Sequence, residues 1–553
     1  MALEFATSEV VIGERLEQFL LALSISLGVA TLPQIFSWFR RIPYTLLLVI
    51  VGLALAFFNV RLVSLSPELI LVIFLPPLLF EAAWNLKWSD LQRDLLPICL
   101  YAVVGVVVSI AGMALGLHQF AGLEPSVALL IGASLSATDP VSVIALFREL
   151  GAGKRLTTLM EGESLFNDGM AVVAFGLLVT LPLGTAKLEL RSALLDFLQI
   201  VSIGIGIGGL FGFGISYLTQ RFDLPLVEQS LTLVSAYSTY LLTEDLGGSG
   251  VIAVVTTALI LGNFGSRIGM NPRTRIIVTE FWEFLAFFVN SIVFLLIGDQ
   301  IRFAVLGDNL KTVAVAIAAL IVARAVSIYG LSSLSNWLAK SDIPLSEQTV
   351  LSWGGLRGSV SIALVLSVPA ILPHREEVIA TVFGVVLFTL IVQGLTIQPL
   401  LEKLQLLGSQ QLTQQYMEAS ARQVALQRAL EYLETTQKRP EIQPKFYHYQ
   451  KTLLAEEIVR WQEKIDKLLH ENPNLQELAT EQLRGELLVI EAETYAEFIR
   501  AGKLNKELSP CMQIMHDTAI GEEGSKPDTW DWTPLNKYTC MRSKLYKQDS
   551  FNC

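Results

Sequence analysis

Along the first 400 residues, apolar runs of 18 to 28 residues alternate with short polar connections. A helix needs about 20 apolar residues to cross a hydrocarbon core of about 30 Å. That length predicts thirteen spans, at 16–38, 43–60, 67–85, 94–118, 125–149, 157–181, 194–220, 226–246, 249–266, 280–301, 311–338, 345–371 and 376–402. Past residue 402 the pattern changes. Leu, Val, Ala and Ile recur at helical spacing among Gln, Glu, Lys and Arg in 411–436 and 449–470, and again in 474–500 after Pro473. The pattern therefore predicts an all-α membrane protein in three parts. Residues 1–402 form the transmembrane domain, 403–508 a helical cytosolic tail, and 509–553, with GEEGSKPDTWDWTP, a disordered end.

Composition agrees with this division. Of the 553 residues 52% are hydrophobic and 16% charged, with a mean hydropathy of +0.53, too apolar for an average soluble chain. Acidic and basic residues number 28 and 21 in the first 400 positions, against 23 and 19 in the last 153. The net charge of −11 comes with no basic patch, which argues against nucleic acid as a partner. With the N-terminus outside, the inner connections carry twelve Lys and Arg residues, Arg40, Arg41, Lys154, Arg155 and Lys340 among them, against seven outside. Positive charge favours the cytosolic side, so the tail is expected in the cytosol. MALEFATSEV lacks the basic start and cleavage site of a signal peptide. Cys99, Cys511, Cys540 and Cys553 lack metal-ligand spacing and read as free thiols.

Ionisable groups inside a span are costly and usually functional. GESLFNDGMAVVAF, residues 162–175, carries Glu163, Asn167 and Asp168 into the sixth span. Ser164 and Asp168 are four apart and share one helix face, with Glu163 and Asn167 on the neighbouring face. Asp168 falls near the middle of the membrane, where a lone carboxylate is neutralised by a proton or a cation. Thr158 and Glu161 have capping-box spacing, which predicts a structural role for Glu161 at the helix start. In the preceding span, SATDPV (136–141) sets Pro140 beside Asp139. Proline removes a helix donor and biases the residue before it away from helical geometry. Such a break is tolerated where it lines a watery cavity, and there Thr138 and Asp139 offer oxygen ligands to a hard cation. Two arginines, Arg324 and Arg357, also lie in apolar runs and need partners. Glu81, Asp139, Glu163 and Asp168 are the carboxylates at comparable depth. Pro76 and Pro77 disturb the third span, and Gly354, Gly355 and Gly358 suggest a second irregular segment around Arg357. Interrupted helices in two halves of one chain point to a transport site between inverted repeats.

At these residues the chain resembles the NhaP-type sodium/proton antiporters of the monovalent cation:proton antiporter-1 family, which includes the animal sodium/proton exchangers. The resemblance covers about residues 10–405. It rests on FLPPLLFEAA (74–83), ATDPVSVIALF (137–147), GESLFNDG (162–169), Arg324 in IVARAVS, GGLRGSVSIAL (354–364) and GLTIQPL (394–400), all in order. It implies a thirteen-helix protomer of NhaA-like fold, with helices 5 and 12 unwound and crossing in a six-helix core beside a dimerisation domain. It further implies a homodimer that exchanges sodium, or lithium, for protons at Asp168. Thr138, Asp139 and Ser164 would line that site, and Glu81 would join it as in some relatives. Asn167 would stabilise helix contacts, Glu163 would pair with Arg324, and Arg357 would support the crossing. Asn167 replaces the first aspartate of the electrogenic Asp-Asp branch, which implies electroneutral exchange. No cofactor is implied, and the tail matches no family pattern that would name its partner.

Potassium or calcium in place of sodium, and a channel or symporter in place of an antiporter, stay open at this stage. Enzyme readings fare worse. The G-x-G-D of intramembrane aspartyl proteases is absent, and all five histidines lie at span ends or in the tail. GGSG at 247–250 matches a rhomboid pattern, but Ser249 stands where an N-cap explains it.

Overall fold

The structure is a computed structural model of the chain. It describes residues 2–471 apart from 37–42, 59, 61, 64, 183–189, 220–223, 267–269, 271, 373, 407–409 and 437–443. The expected segment 474–500, the end 509–553, and Cys511, Cys540 and Cys553 lie outside the described residues. Regular structure among the described residues is helical, as the apolar periodicity predicts. The chain divides into two units, Met1–Gln410 and Gln411–Cys553.

In the first unit we number the main helices α1 (Ala2–Ile35), α2 (Tyr44–Phe57), α3 (Leu69–Asn85), α4 (Leu95–Ala121), α5 (Pro125–Ser134), α6 (Val141–Leu150), α7 (Lys154–Leu178) and α8 (Leu190–Thr219). There follow α9 (Pro225–Asp245), α10 (Gly250–Gly265), α11 (Pro272–Asp299), α12 (Leu310–Ala339), α13 (Leu345–Trp353), α14 (Ser359–Leu366) and α15 (Arg375–Lys403). Every expected apolar run overlaps a helix. Two of them, 125–149 and 345–371, are divided, giving the pairs α5/α6 and α13/α14. Among the described residues five helices, α4, α8, α11, α12 and α15, are each long and apolar enough to cross a membrane unaided. The 25-residue α7 has the length but carries Lys154, Arg155, Glu161, Glu163 and Asp168.

The helices associate in two groups. One combines α1–α3 with α8–α11; the other combines α4–α7 with α12–α15. Small residues allow the closest approaches, as is usual where lipid tails compete with apolar side chains. A Cβ on Gly52 of α2 would lie 2.1 Å from the Leu295 carbonyl of α11, and one on Gly208 of α8 would lie 2.5 Å from the Ala253 carbonyl of α10.

The prolines of α3 bend no helix apart. Leu69–Phe74 is a π-helical stretch that leads directly into Leu75–Asn85. Pro77 lacks the amide that would bond the carbonyl of Ile73, four residues back. The Tyr237 hydroxyl of α9 donates to that carbonyl at 2.9 Å, so the acceptor is satisfied from a neighbouring helix.

The capping box expected at Thr158 and Glu161 does not form. The helix begins four residues earlier, at Lys154 after Gly153, with no side-chain cap. Thr158 and Glu161 therefore lie past the first turn, where amides already have helical partners. Glu161 instead accepts from Arg148 at 3.0 Å. Ser249 does cap α10, its hydroxyl accepting from the Ile252 amide at 3.4 Å.

The second unit contains α16 (Gln410–Thr436, from its second residue) and α17 (Pro444–Glu471). Gln423 bonds Gln462, and Lys451 pairs with Glu434 at 2.7 Å, a register that makes the two helices an antiparallel hairpin. Arg422 and Lys464 flank the Trp461 ring at 5.0 and 4.7 Å.

Candidate ion-translocation site

Two helix breaks meet at the centre of the second helix group. After Ser134 the chain leaves helical geometry until Val141, and after Trp353 until Ser359. Each break frees backbone groups that need partners in a dry interior. The breaks supply one another. The Asp139 amide donates to the Leu356 carbonyl at 2.8 Å. Arg357 Nε donates to the Leu135 carbonyl at 2.6 Å and its Nη1 to the Gly355 carbonyl at 2.5 Å, while the Arg357 amide donates to Thr389 Oγ1 at 3.1 Å. Arg357 is 1% exposed and so spans both breaks from within.

The Asp139 carboxylate sits where the half-helices α6 and α14 begin. Its Oδ1 accepts from the Val141 amide at 3.2 Å, and the Ser359 amide also donates to the carboxylate. Helix N-termini carry partial positive charge, so one carboxylate between two of them is favourably placed. The glycines of GGLRG have a packing reason here. A Cβ on Gly358 would lie 1.9 Å from Asp139 Oδ2, and one on Gly355 would lie 2.7 Å from Arg324 Nε.

Helix α7 passes beside the first break. The Ser164 hydroxyl donates to the Thr138 carbonyl, and Asn167 Nδ2 donates to Thr138 Oγ1 at 3.1 Å. On the neighbouring face Glu163, 1% exposed, receives two bonds from Arg324: Nη1 to Oε1, and Nη2 to Oε2 at 2.8 Å. Arg324 Nη2 also donates to the Leu351 carbonyl at 3.1 Å. Asn167 Oδ1, Arg324 Nε and Arg357 Nη2 are left without a partner among the described residues. Asp168 differs from Glu163 and Asp139 as a carboxylate with no donor on its buried oxygen, Oδ1, among the described residues.

A cavity of about 330 Å³ between the two helix groups reaches Asp168. Asp168, Asp139, Ser164 and Glu81 all line it. Thr138, Asn167, Glu163, Arg324 and Arg357 do not, and stand behind its wall. Thr138 is thus in contact with Ser164 and Asn167 and not with the cavity. Among the described residues no three His, Cys, Asp or Glu side chains form a metal cage. The polar residues that line the cavity supply carboxylates, hydroxyls and amides, the kind of oxygen that hard cations take as ligands.

The structure also assigns to the cavity residues that the sequence reading passed over. Tyr44 of α2 and Asn290 of α11, hydrogen-bonded to each other, line it opposite Asp139. Asn290 is a polar residue in the apolar run FFVNSIVFLL and was visible as such. Tyr44 at a span start is indistinguishable from an interfacial aromatic. A further unanticipated pair, Arg155 with the 2% exposed Asp94, closes at 2.6 Å at the end of α7 remote from Asp168. Arg357 corrects an expectation. Its hydrogen-bond acceptors are carbonyls that the helix breaks release, not a carboxylate at comparable depth.

The family model for the transmembrane domain of sodium/hydrogen exchangers matches residues 22–403. The chain is 61% identical over 514 residues to the Na(+)/H(+) antiporter ApNhaP of Aphanothece halophytica, covering 93% of this chain and 99% of that one. It is 55% identical over 515 residues to the low-affinity Na(+)/H(+) antiporter NhaS1 of Synechocystis sp., covering 92% and 98%. Both alignments are long enough to include tail sequence beyond the family model. The solved structure of the sodium proton antiporter MjNhaP1 from Methanocaldococcus jannaschii at pH 8 shares the fold. Its TM-score is 0.57 at 20% identity, over 69% of this chain and 99% of that one. This chain, a multi-pass membrane protein, belongs to the sodium/hydrogen exchanger family.

Proposed function

We propose that this chain exchanges sodium, or lithium, for protons across a plasma or bacterial inner membrane, one for one, through competition at Asp168. The observation that carries this reading is the contrast in partners around the site. Glu163 is held by Arg324, and Asp139 by two backbone amides, whereas Asp168 Oδ1 is buried, unpartnered and beside a cavity. A carboxylate so placed takes its partner from solution, either a proton or a partly dehydrated cation. Ser164, Asp139 and Glu81 supply further oxygens from the cavity wall, and Thr138 orients Ser164 from behind. Asn167 and Arg357 support the site by holding α7 and the two breaks in register.

Neutralisation of Asp168 then permits the α4–α7/α12–α15 group to move against the other, which gives alternating access without a separate proton relay. Asn167 contributes no second titrating carboxylate, in keeping with electroneutral turnover. With the N-terminus outside and the C-terminus in the cytosol, Arg148 and Glu161 mark the cytosolic end of the cavity, and this arrangement is inward-facing. The outer face of α8, only 11% of whose apolar span is buried, is open to lipid or to a second copy in a homodimer.

Purified protein in vesicles, with proton flux followed under imposed sodium, lithium, potassium or calcium gradients, tests the reading. Sodium and lithium should drive flux that is insensitive to membrane voltage, and half-saturation should rise as pH falls, because protons occupy the same carboxylate. Voltage-driven sodium flux without proton movement would sink it.

A further inference from the structure

The end of the cavity remote from the helix breaks has a charge arrangement that exchange at Asp168 does not require. Glu161 lies seven residues before Asp168 on α7, two turns or about 10 Å along the axis. Arg148 lies nine residues beyond Asp139, in the last turn of α6. The two meet in an ion pair at 3.0 Å, and both line the cavity. From the other helix group, Glu81 of α3 and Glu283 of α11 line the same end. Glu81 accepts from Asn85 at 2.7 Å and lies within electrostatic reach of Arg148, Glu161 and Glu283. A sodium ion approaching Asp168 thus passes three carboxylates and one guanidinium. The Arg148 side chain is 60% exposed and that of Glu161 only 23%, so the cation is the looser partner.

We infer that the Arg148–Glu161 pair is an affinity-setting element for cation entry: Arg148 is a tethered cation that occupies the place a hydrated sodium ion would take beside Glu161. This rests on the assignment of Asp168 as the exchange site. Arg148 lowers the concentration of sodium in the vestibule, and Glu161 raises it. Neither touches the ion at Asp168, so the pair acts on capture and not on the translocation step. Its influence is confined to the side of the membrane on which the cavity opens.

The experiment measures sodium half-saturation and maximal rate in vesicles of each orientation, at low and high concentrations of an impermeant salt. Arg148→Gln leaves one more uncompensated carboxylate about 10 Å from Asp168. It should lower half-saturation by about two- to tenfold at low salt, and the shift should shrink as salt screens charges a Debye length apart. Glu161→Gln should shift half-saturation the opposite way, and Arg148→Lys should restore the parental value. Maximal rates should change little, and the shift should appear on one face alone. If Arg148→Gln leaves half-saturation unchanged, or shifts it equally on both faces, the inference is overturned while the role of Asp168 stands. Exchange by Asp168→Asn would instead remove the reading on which both rest.

Discussion

Glu163 and Asp168 occupy one helix, five residues apart, and meet opposite surroundings. The first has a guanidinium built into the fold, with Arg324 donating to both of its oxygens and Gly355 clearing the space the guanidinium needs. The second has a cavity on one side and an oxygen without a partner. A carboxylate in a membrane becomes structure when its counter-charge is supplied by the chain. On the proposed reading it serves transport when that charge must come from water and leave again. Burial alone does not separate the two; the origin of the partner does.

The strongest way to break the comparison is at Asp168. Asp168→Asn keeps size and hydrogen-bonding capacity but neither loses a proton nor carries negative charge. Exchange of every cation should vanish, while expression and thermal stability stay near the parental values. Asp168→Glu keeps the charge but moves it by about one methylene, and should retain weak activity. Vesicles of purified Asp168→Asn that still exchange sodium for protons would show that Glu163 and Asp168 do not differ in the manner described.

Glu163→Gln should have the converse profile. It leaves the buried Arg324 charge uncompensated, with the Leu351 carbonyl and one neutral amide oxygen as acceptors in place of a carboxylate. Breaking a buried pair typically costs about 3–5 kcal/mol, so a lower melting temperature and yield are expected, with sodium half-saturation nearly unchanged. Removing both charges, as Glu163→Gln with Arg324→Gln, should recover part of the lost stability, because no uncompensated charge remains. A tenfold rise in half-saturation in a normally stable Glu163→Gln protein would make Glu163 part of the ion path.

Much of this contrast is legible in the sequence, and the remainder is not for identifiable reasons. Two charges of opposite sign in apolar runs, each costly alone, point to Glu163 with Arg324. Asp139 beside Pro140 points to a helix break, because proline removes a donor and biases its predecessor locally, although Pro76 and Pro77 show that a neighbouring helix can keep such a helix continuous. Arg357 was different. Its acceptors are the carbonyls of Leu135 and Gly355, which become available only once both helices break and approach, and residue types do not encode that. The glycines around it were legible as an irregular segment, but their role in admitting Asp139 and Arg324 needs three dimensions. Tyr44, Asn290 and Glu283 enter the cavity from the opposite helix group, through packing against Asp139 and Asp168, which lie 95 to 151 positions away in the chain. The Thr158–Glu161 spacing misled because a capping pattern reads the same one turn inside a helix as at its start.

A smaller effect sharpens the same comparison from the adjoining position. Asn167 donates to Thr138 Oγ1 and leaves its own Oδ1 without a partner. Asn167→Asp keeps an acceptor to which the Thr138 hydroxyl can donate, so the fold should survive. It also places a second carboxylate beside the first without a second arginine. If the new group titrates during the cycle, flux becomes sensitive to an imposed voltage; that is the expected result, read with a potassium–valinomycin clamp. Voltage-independent flux would mean that the added carboxylate stays protonated and that residue 167 does not set the charge moved per cycle.

The smallest effect on exchange is expected from the tail. The ionisable residues proposed for the site and for the buried pair all precede residue 402 in the sequence, and the tail hairpin has contacts of its own, Lys451 with Glu434 and the cations about Trp461. Removing residues from about 440 onward takes away α17 and strips α16 of its partner helix, so the remaining part of the tail should become more sensitive to protease. Asp168, the residues that line its cavity and the Glu163–Arg324 pair all lie in the part of the chain that is retained. The truncated protein should therefore insert and exchange sodium for protons, with the pH or ion dependence altered and not the existence of flux. A correctly inserted truncation with no flux would place residues of the second unit within the translocation cycle. The difference between Glu163 and Asp168 would then depend on more than the partners each finds inside the membrane.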